Sequence, residues 1–413
     1  MNTGASMTAS EASRELGVTR QTLYSYVSRG LVRSRVDDAG KRTRRYDAGD
    51  VRRLKERQET RRDPAKVVDG ALDWGIPLRD SALTLIDAGH CYYRGKDTVD
   101  LARDFTVEQA AAWIWTEDER QADTLFSTGA EDLPPASSAL AALFPGSTAM
   151  ERFQVILPLA AAADLAAYDF RPRHVARTGA RILRAMARLA TYLHTPAAGQ
   201  GLAETLMNGW IPDRPDAIAL LRTALILCAD HELNVSSFTA RCVASAGSSP
   251  YAVVCAGLAA LQGHKHGGTS ERVEALFRET GTPDRAREAL AQRIRRGDPV
   301  PGFGHPLYPD GDPRGRALLE LAAATCPASA GLQLAVALAD EGRLALHEEP
   351  NLDFGLCAVR AALELPPGAA LTLFALGRTI GWIGHAIEEY QADTLIRPRA
   401  RYTGTPPTQV QPA

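Results

Sequence analysis

The sequence predicts an all-α chain with a small basic helical head. Three observations carry that expectation. Aromatic residues make up only 6% of the 413 residues while Ala and Leu abound, a balance that favours helix over sheet. Helical periodicities run through most of the chain, with few alternating apolar–polar stretches. The net charge of -2 also hides an uneven split. Residues 1–66 carry 16 Lys+Arg against 9 Asp+Glu, a net +7, whereas the rest of the chain nets −9. A basic head on an acidic body suggests two jobs, the head being suited to a polyanion. The length predicts about two or three domains, and 45% apolar with 23% charged residues excludes wholesale disorder.

In the head, Thr8 can cap a helix through Glu11, Ala12 and Leu16, which Gly17 ends. Thr19 can cap a second helix through Leu23, Tyr24 and Val27, which Gly30 ends. The turn "LGVT" between them supplies the glycine and the apolar corner residue of a helix-turn-helix. An Arg-rich hairpin follows in "RSRVDDAGKRTRRYD", its turn at Asp38, Ala39 and Gly40, and Asp47 can cap a third helix. In this order the elements resemble the winged-helix DNA-binding domain of MerR-type regulators, over residues 1–62. The resemblance implies that Thr19, Arg20, Gln21, Tyr24 and Ser25 face the major groove of double-stranded DNA. It also implies that Arg33, Arg35, Lys41, Arg42, Arg44 and Arg45 grip phosphates. The residues alone leave open a basic, solvated head that docks protein.

Past the linker-like "RRDPAKVVDG", helix follows helix. "FTVEQAAAWIWTED" places Ala111 and Trp115 on one face. "RHVARTGARILRAMARLATYLHT" gathers Ile182, Leu183, Met186 and Leu189 opposite its arginines. "PDAIALLRTALILCADHEL" and "SPYAVVCAGLAALQG" are apolar nearly all round and read as buried central helices. The longest apolar stretch, Val155 to Tyr168, is broken by Asp164 and falls short of the ~20 residues a bilayer span needs. The six cysteines form no CxxC pair, and no apolar leader follows a basic start, so a reduced, cytoplasmic setting without membrane attachment is expected. Neither GxGxxG after a strand nor GxxxxGK[ST] occurs, so nucleotide-loop chemistry is unsupported.

Of nine histidines, His231, His264, His266 and His305 crowd into a 75-residue window. Three of them stand in polar or Gly-rich sequence at the ends of helical runs. Their spacing suits no metal site, because no HExxH or cysteine pair joins them. Individually, each could be a core histidine. Taken in order, "HELNVSSFTARCVAS", "ALQGHKHGG", "PGFGHPLYPDGDPR", "NLDF", "GRTIGWIGHAIEEY" and "IRPRARYTG" resemble the citrate synthase family, as does the earlier "IDAGHCYYRGKDTVDLA".

The resemblance implies an all-helical homodimer. Its large domain would span 63–266 and 366–413, and its small domain 267–365. It implies condensation of acetyl-CoA with oxaloacetate to citrate and CoA, with no metal and no cofactor beyond the CoA thioester substrate. That chemistry removes a proton from a very weak carbon acid, so it needs a base and a holder for the enolate oxygen. By resemblance Asp353 is the base, His266 the donor to the thioester oxygen, and His305 the group that polarises the ketone. The dicarboxylate calls for forked cationic donors, and Arg314, Arg378 and Arg397 match them. Arg397 would reach across from the partner subunit, and His231 matches the keto-acid-binding histidine.

One departure concerns CoA. The family often has Arg after the "GFGH" histidine and a basic residue slightly beyond, where this chain has Pro306 and Pro309. Arg293, Arg295 and Arg296 lie just upstream and could substitute for those phosphate holders. Two alternatives stand beside citrate synthesis. One is 2-methylcitrate synthesis from propionyl-CoA, and the other is a metabolite-sensing regulator whose synthase-like body moves a DNA-binding head.

Overall fold

In a computed structural model, the structure describes residues 6–28, 31–36, 44–48, 50, 51, 54, 79–127, 133–143, 145–197 and 199–405. The chain divides into two compact units, Met1–Asp80 and Ser81–Ala413.

In the first unit, β1 (Ser6–Thr8) leads into α1 (Ala9–Leu16). Thr8 and Glu11 form a reciprocal capping box, and Gly17 closes the helix at φ 62°. The second helix, α2, covers Arg20–Ser28, with the Thr22 N–H donating to the Thr19 hydroxyl at 3.3 Å. β2 (Ser34–Val36) and β3 (Arg44–Asp47) pair antiparallel as the two arms of the basic hairpin. The Asp47 carboxylate accepts the Asp50 N–H at 3.0 Å, capping a third helical segment. The sequence reading missed β1, which adds a third strand beside β3. Three residues were too few to show an alternation. Ala12, Leu16, Leu23, Val32, Tyr46, Val51 and Leu54 form a small core.

The second unit opens with a three-stranded antiparallel sheet, β4 (Thr84–Asp87), β5 (His90–Tyr93) and β6 (Lys96–Asp97). It is the only multi-residue sheet among that unit's described residues, an isolated bridge between Phe303 and Pro350 aside. Then come α3 (Thr98–Asp104), α4 (Val107–Thr116), α5 (Ala122–Leu125), α6 (Ser137–Leu143) and α7 (Ala149–Ala163). The amphipathic run forms α8 (Pro172–Ala190), which buries Ile182, Leu183, Met186 and Leu189 as its pattern requires. α9 (Leu202–Trp210), α10 (Ile218–Leu227), α11 (Val235–Ser245) and α12 (Pro250–Leu261) follow.

Five helices, α13 (Gly268–Thr280), α14 (Ala286–Arg296), α15 (Pro313–Thr325), α16 (Ala330–Leu346) and α17 (Leu352–Ala362), pack among themselves. The chain then returns through α18 (Ala369–Ala392), which contacts α8, α10, α11 and α12 and is the spine of the unit.

α18 was not singled out as a core helix, because Arg378, His385 and its glycines interrupt its apolar pattern. By length and composition it could cross a membrane, but its apolar window is 100% buried inside the protein. Its glycines explain how it is embedded. A Cβ on Gly377 would lie 2.4 Å from the Leu225 carbonyl oxygen, and one on Gly381 would lie 2.3 Å from that of Ala229. One turn apart, the two glycines let the end of α10 lie directly on the spine. Gly381→Ala is therefore expected to cost on the order of 1–3 kcal/mol by overpacking. Thermal denaturation should show a Tm several degrees lower.

Candidate active site

Two loops, "GFGH" and "EEPNLDF", are laced together by backbone hydrogen bonds. Gly304 N–H donates to the Glu349 carbonyl at 2.9 Å, and Asn351 N–H donates to the Gly302 carbonyl at 2.9 Å. The Asn351 side-chain amide adds a bond to the Gly304 carbonyl at 3.0 Å. Gly302 and Gly304 have φ of 91° and 69°, and a Cβ on Gly304 would sit 2.6 Å from a Glu348 carboxylate oxygen. Only glycine fits this lacing, which fixes His305 relative to Asp353.

Asp312 ties the same region together. It caps α15, binds the Arg314 Nε and Nη2 at 2.9 and 2.8 Å, and accepts the Leu352 N–H at the start of α17 at 3.1 Å. Asp353 occupies the first turn of α17 and accepts the Ser270 hydroxyl from α13 at 2.5 Å. Burial pushes its pKa up to about 6, against the pull of Ser270 and of Arg314.

His305 stands on the far side of the lacing. The Leu307 N–H donates to its Nδ1 at 3.1 Å, so in the neutral ring the proton is on Nε2. Its ring centroid lies 5.0 Å from that of His231, edge to face, and 5.1 Å from that of Tyr308. His231 Nε2 is 3.0 Å from the Tyr308 hydroxyl. Burial and Arg314 lower the His305 pKa to about 4. Burial, then Arg314 and Arg378, hold His231 well below the ordinary imidazole value.

His266, just before α13, points its Nε2 at the Ser236 hydroxyl, 2.8 Å away. Trp382 of α18 donates its indole N–H to that hydroxyl at 3.2 Å. Burial and Arg378 bring the His266 pKa to about 4. Near neutral pH all three rings are therefore uncharged.

The cationic side is buried too. The Arg314 guanidinium carbon lies over Tyr308, 5.3 Å from the ring centroid, with one edge held by Asp312. Arg378 donates Nε to the Cys228 carbonyl at 2.8 Å and lies 4.8 Å from the centroid of Phe374, whose ring also packs edge-on against His266. Its two terminal nitrogens have no hydrogen-bond partner among the described residues.

Six predicted residues sit around this hub. His231, His266 and His305 share it with Arg314 and Arg378, whose charges act on them. Asp353 feels Arg314 and Arg378 as well. Arg397 does not join it within one chain: it is exposed in the irregular segment after α18. His264 is exposed and stands apart. Of the three upstream arginines, Arg293 is paired with Glu279 and Arg296 with Asp298. Sequence reasoning missed Ser236, Ser270, Tyr308 and Asp312. All but Ser270 lie inside quoted motifs, where only their neighbours drew notice.

In the first unit, Thr19, Arg20, Gln21 and Tyr24 share the exposed side of α2, with Ser25 partly covered. Arg20 also donates to the Ser10 hydroxyl at 2.5 Å. Arg33, expected on phosphate, is held by Asp50 at 2.8 Å and Asp47 at 3.3 Å. Arg44 is exposed and Arg45 partly so. Lys41 and Arg42 lie outside the described residues, as does the side chain of Arg35.

Comparisons with known proteins agree with this geometry. The family model "Citrate synthase, C-terminal domain" matches residues 71–399, and "MerR HTH family regulatory protein" matches residues 7–62. A citrate synthase from Mycolicibacterium smegmatis is 30% identical over 359 residues, covering 80% of this chain and 94% of that one. A 2-methylcitrate synthase from Mycobacterium tuberculosis is 28% identical, covering 76% and 84%. The match to citrate synthase 2 of Bacillus subtilis, 34% identical, covers 51% of this chain and 58% of that one. Among solved structures, the citrate synthase of Thermoplasma acidophilum in ternary complex with carboxymethyl coenzyme A and oxaloacetate superposes with a TM-score of 0.70. It is 26% identical, with 82% of this chain and 96% of that one covered. The matched span, the helical architecture and the converging histidines, arginines and aspartate agree: the chain belongs to the citrate synthase family of acyltransferases, with a MerR-type helix-turn-helix region at its N-terminal end.

Proposed function

We propose that the chain condenses acetyl-CoA with oxaloacetate to give citrate and free CoA. The observation that carries this reading is a buried carboxylate, its pKa raised to about 6, that feels two buried arginines which also act on the neutral imidazoles, with its helix laced to the His305 loop. Asp353, ionised above that pH, takes a proton from the acetyl methyl group. His266 receives the developing negative charge on the thioester oxygen. The Ser236 hydroxyl, which donates to Asn234 Oδ1 at 2.8 Å, lies 2.8 Å from His266 Nε2 and fixes the orientation of the ring. The new carbon nucleophile adds to the oxaloacetate ketone, and His305 Nε2–H protonates the resulting alkoxide. Water then hydrolyses the citryl thioester. Arg378, the remaining edge of Arg314, and His231 hold the dicarboxylate; the archaeal relative above is a citrate synthase in complex with oxaloacetate and carboxymethyl coenzyme A. The reaction needs neither metal nor redox cofactor.

In this reading residues 267–365 form a small domain that closes on the rest of the unit. The exposed Arg397 of one protomer completes the partner's site in a homodimer. Free thiol formation from acetyl-CoA tests the proposal. It should require oxaloacetate, and thiol release that ignores the keto acid, or none at all, would refute it. The 2-methylcitrate synthase relative supports a second substrate reading, settled by the ratio of rates on propionyl- and acetyl-CoA.

The head is proposed to bind double-stranded DNA through the exposed face of α2 and the Arg44–Arg45 arm. If so, a fluorescence titration should show affinity falling steeply as salt rises, by about a hundredfold or more between 50 and 200 mM. Salt-independent binding would favour protein docking instead.

A further inference from the structure

Asp230, the residue before His231, is wholly buried, yet its place is in no substrate-facing hub. Its Oδ2 accepts the Thr84 hydroxyl at 2.6 Å, and its Oδ1 lies 3.1 Å from His385 Nε2. His385, also wholly buried, accepts an Arg241 Nη1–H at its Nδ1, 3.3 Å away. Arginine only donates, so Nδ1 carries a lone pair and Nε2–H points at Asp230. Arg241 is anchored in turn by Glu389 at 2.6 Å and Glu388 at 2.9 Å, and Glu388 accepts the Ala82 N–H at 2.8 Å. This chain of charges joins α11, α18 and the start of β4.

The peptide it anchors is short and does two things. Residues 228–231 supply the Cys228 carbonyl that holds Arg378 Nε and then His231 itself. They lie on the spine helix, with the Gly381 N–H donating to the Ala229 carbonyl at 2.9 Å and a Cβ on Gly381 excluded by Asp230 Oδ1 at 2.6 Å. Tyr93 clasps the same peptide from the sheet side, through the Asp230 N–H and carbonyl at 3.1 and 3.0 Å.

We infer that Asp230, held by His385, is a positioning residue that sets the keto-acid grip of His231 and Arg378 without touching the substrate. The inference rests on the oxaloacetate reading above. Its charge has a second effect. Burial opposes ionisation, but the His385 and Thr84 hydrogen bonds and the nearby Arg378 keep its pKa below the usual carboxylate value. The anion thus offsets the Arg378 charge within a buried site.

Isothermal titration of the intact protein with oxaloacetate, together with steady-state rates, tests the inference. Asp230→Asn keeps the volume and removes the charge. It should weaken oxaloacetate binding about tenfold and raise the oxaloacetate KM alike, leaving the acetyl-CoA KM near wild type. His385→Leu should do the same. His385→Gln, whose amide N–H can take the place of Nε2–H, should restore affinity to within about twofold of wild type. If the wild type binds oxaloacetate and both Asp230→Asn and His385→Leu bind it as tightly, the positioning role is overturned. If losses follow only the fall in Tm, and fall equally on both substrates and on His385→Gln, the chain is structural and the inference is equally overturned. If the wild type binds no oxaloacetate, the substrate reading fails, and the inference falls with it.

Discussion

Asp353→Asn is expected to lower kcat about a thousandfold while leaving the affinity for oxaloacetate nearly intact. A positioned general base contributes about two to four powers of ten, and asparagine cannot accept the methyl proton. The amide can still take the Ser270 hydroxyl bond, so α17 and the laced loops should stay in place. The same substitution should raise stability. The folded pKa of Asp353 is raised to about 6 from 3.8. Its stabilising contribution is therefore fully present below the unfolded value and lost as pH rises through about 6. Above that pH the buried anion costs about 3 kcal/mol, which the asparagine variant does not bear. Loss of activity with a higher Tm at pH 8 separates a strained catalytic carboxylate from a structural one. In the unaltered protein, the acid limb of the rate profile should fall with an apparent pKa near 6.

His266→Ala should give the second largest loss, about a hundredfold to a thousandfold in kcat, comparable to removing one donor from an oxyanion hole. The magnitude depends on the ring being neutral and fixed. Burial and Arg378 bring its pKa to about 4, and Ser236 and Trp382 hold its orientation. A neutral donor close in acidity to an enol shares its proton with the developing oxyanion more evenly than a water would. Removing Ser236 instead should leave His266 present but free to rotate, with a smaller loss of kcat. Rate measurements at saturating oxaloacetate distinguish the two variants.

Much of this site was legible in the sequence because the chemistry-bearing residues are spelled in contiguous motifs. His266, His305, Arg314, Asp353 and Arg378 each stand beside the glycines, prolines or caps that shape their loops. The capping box at Thr8 and the amphipathic face of α8 follow local rules that tertiary structure did not override.

What escaped notice depended on long-range contact. Ser270 matters through Asp353, 83 residues away, and His385 through Asp230, 155 residues away. No local pattern announces such pairings. α18 was hidden for a related reason. It buries an arginine, a histidine and a glutamate that are satisfied only by distant partners, so its pattern looks mixed although its surroundings are all protein. Arg397 differs again: its proposed role lies in a second chain.

The central claim is that Asp353 and His266 together make an enol from a bound acetyl thioester. It is tested most directly by exchange of the acetyl methyl protons of acetyl-CoA in D2O. A dicarboxylate lacking the ketone takes the place of oxaloacetate, so that condensation cannot follow. The account predicts enzyme-dependent loss of the methyl signal in the proton NMR spectrum, slowed at least a hundredfold in Asp353→Asn and in His266→Ala. Exchange that proceeds at the same rate in the unaltered protein and both variants would contradict it.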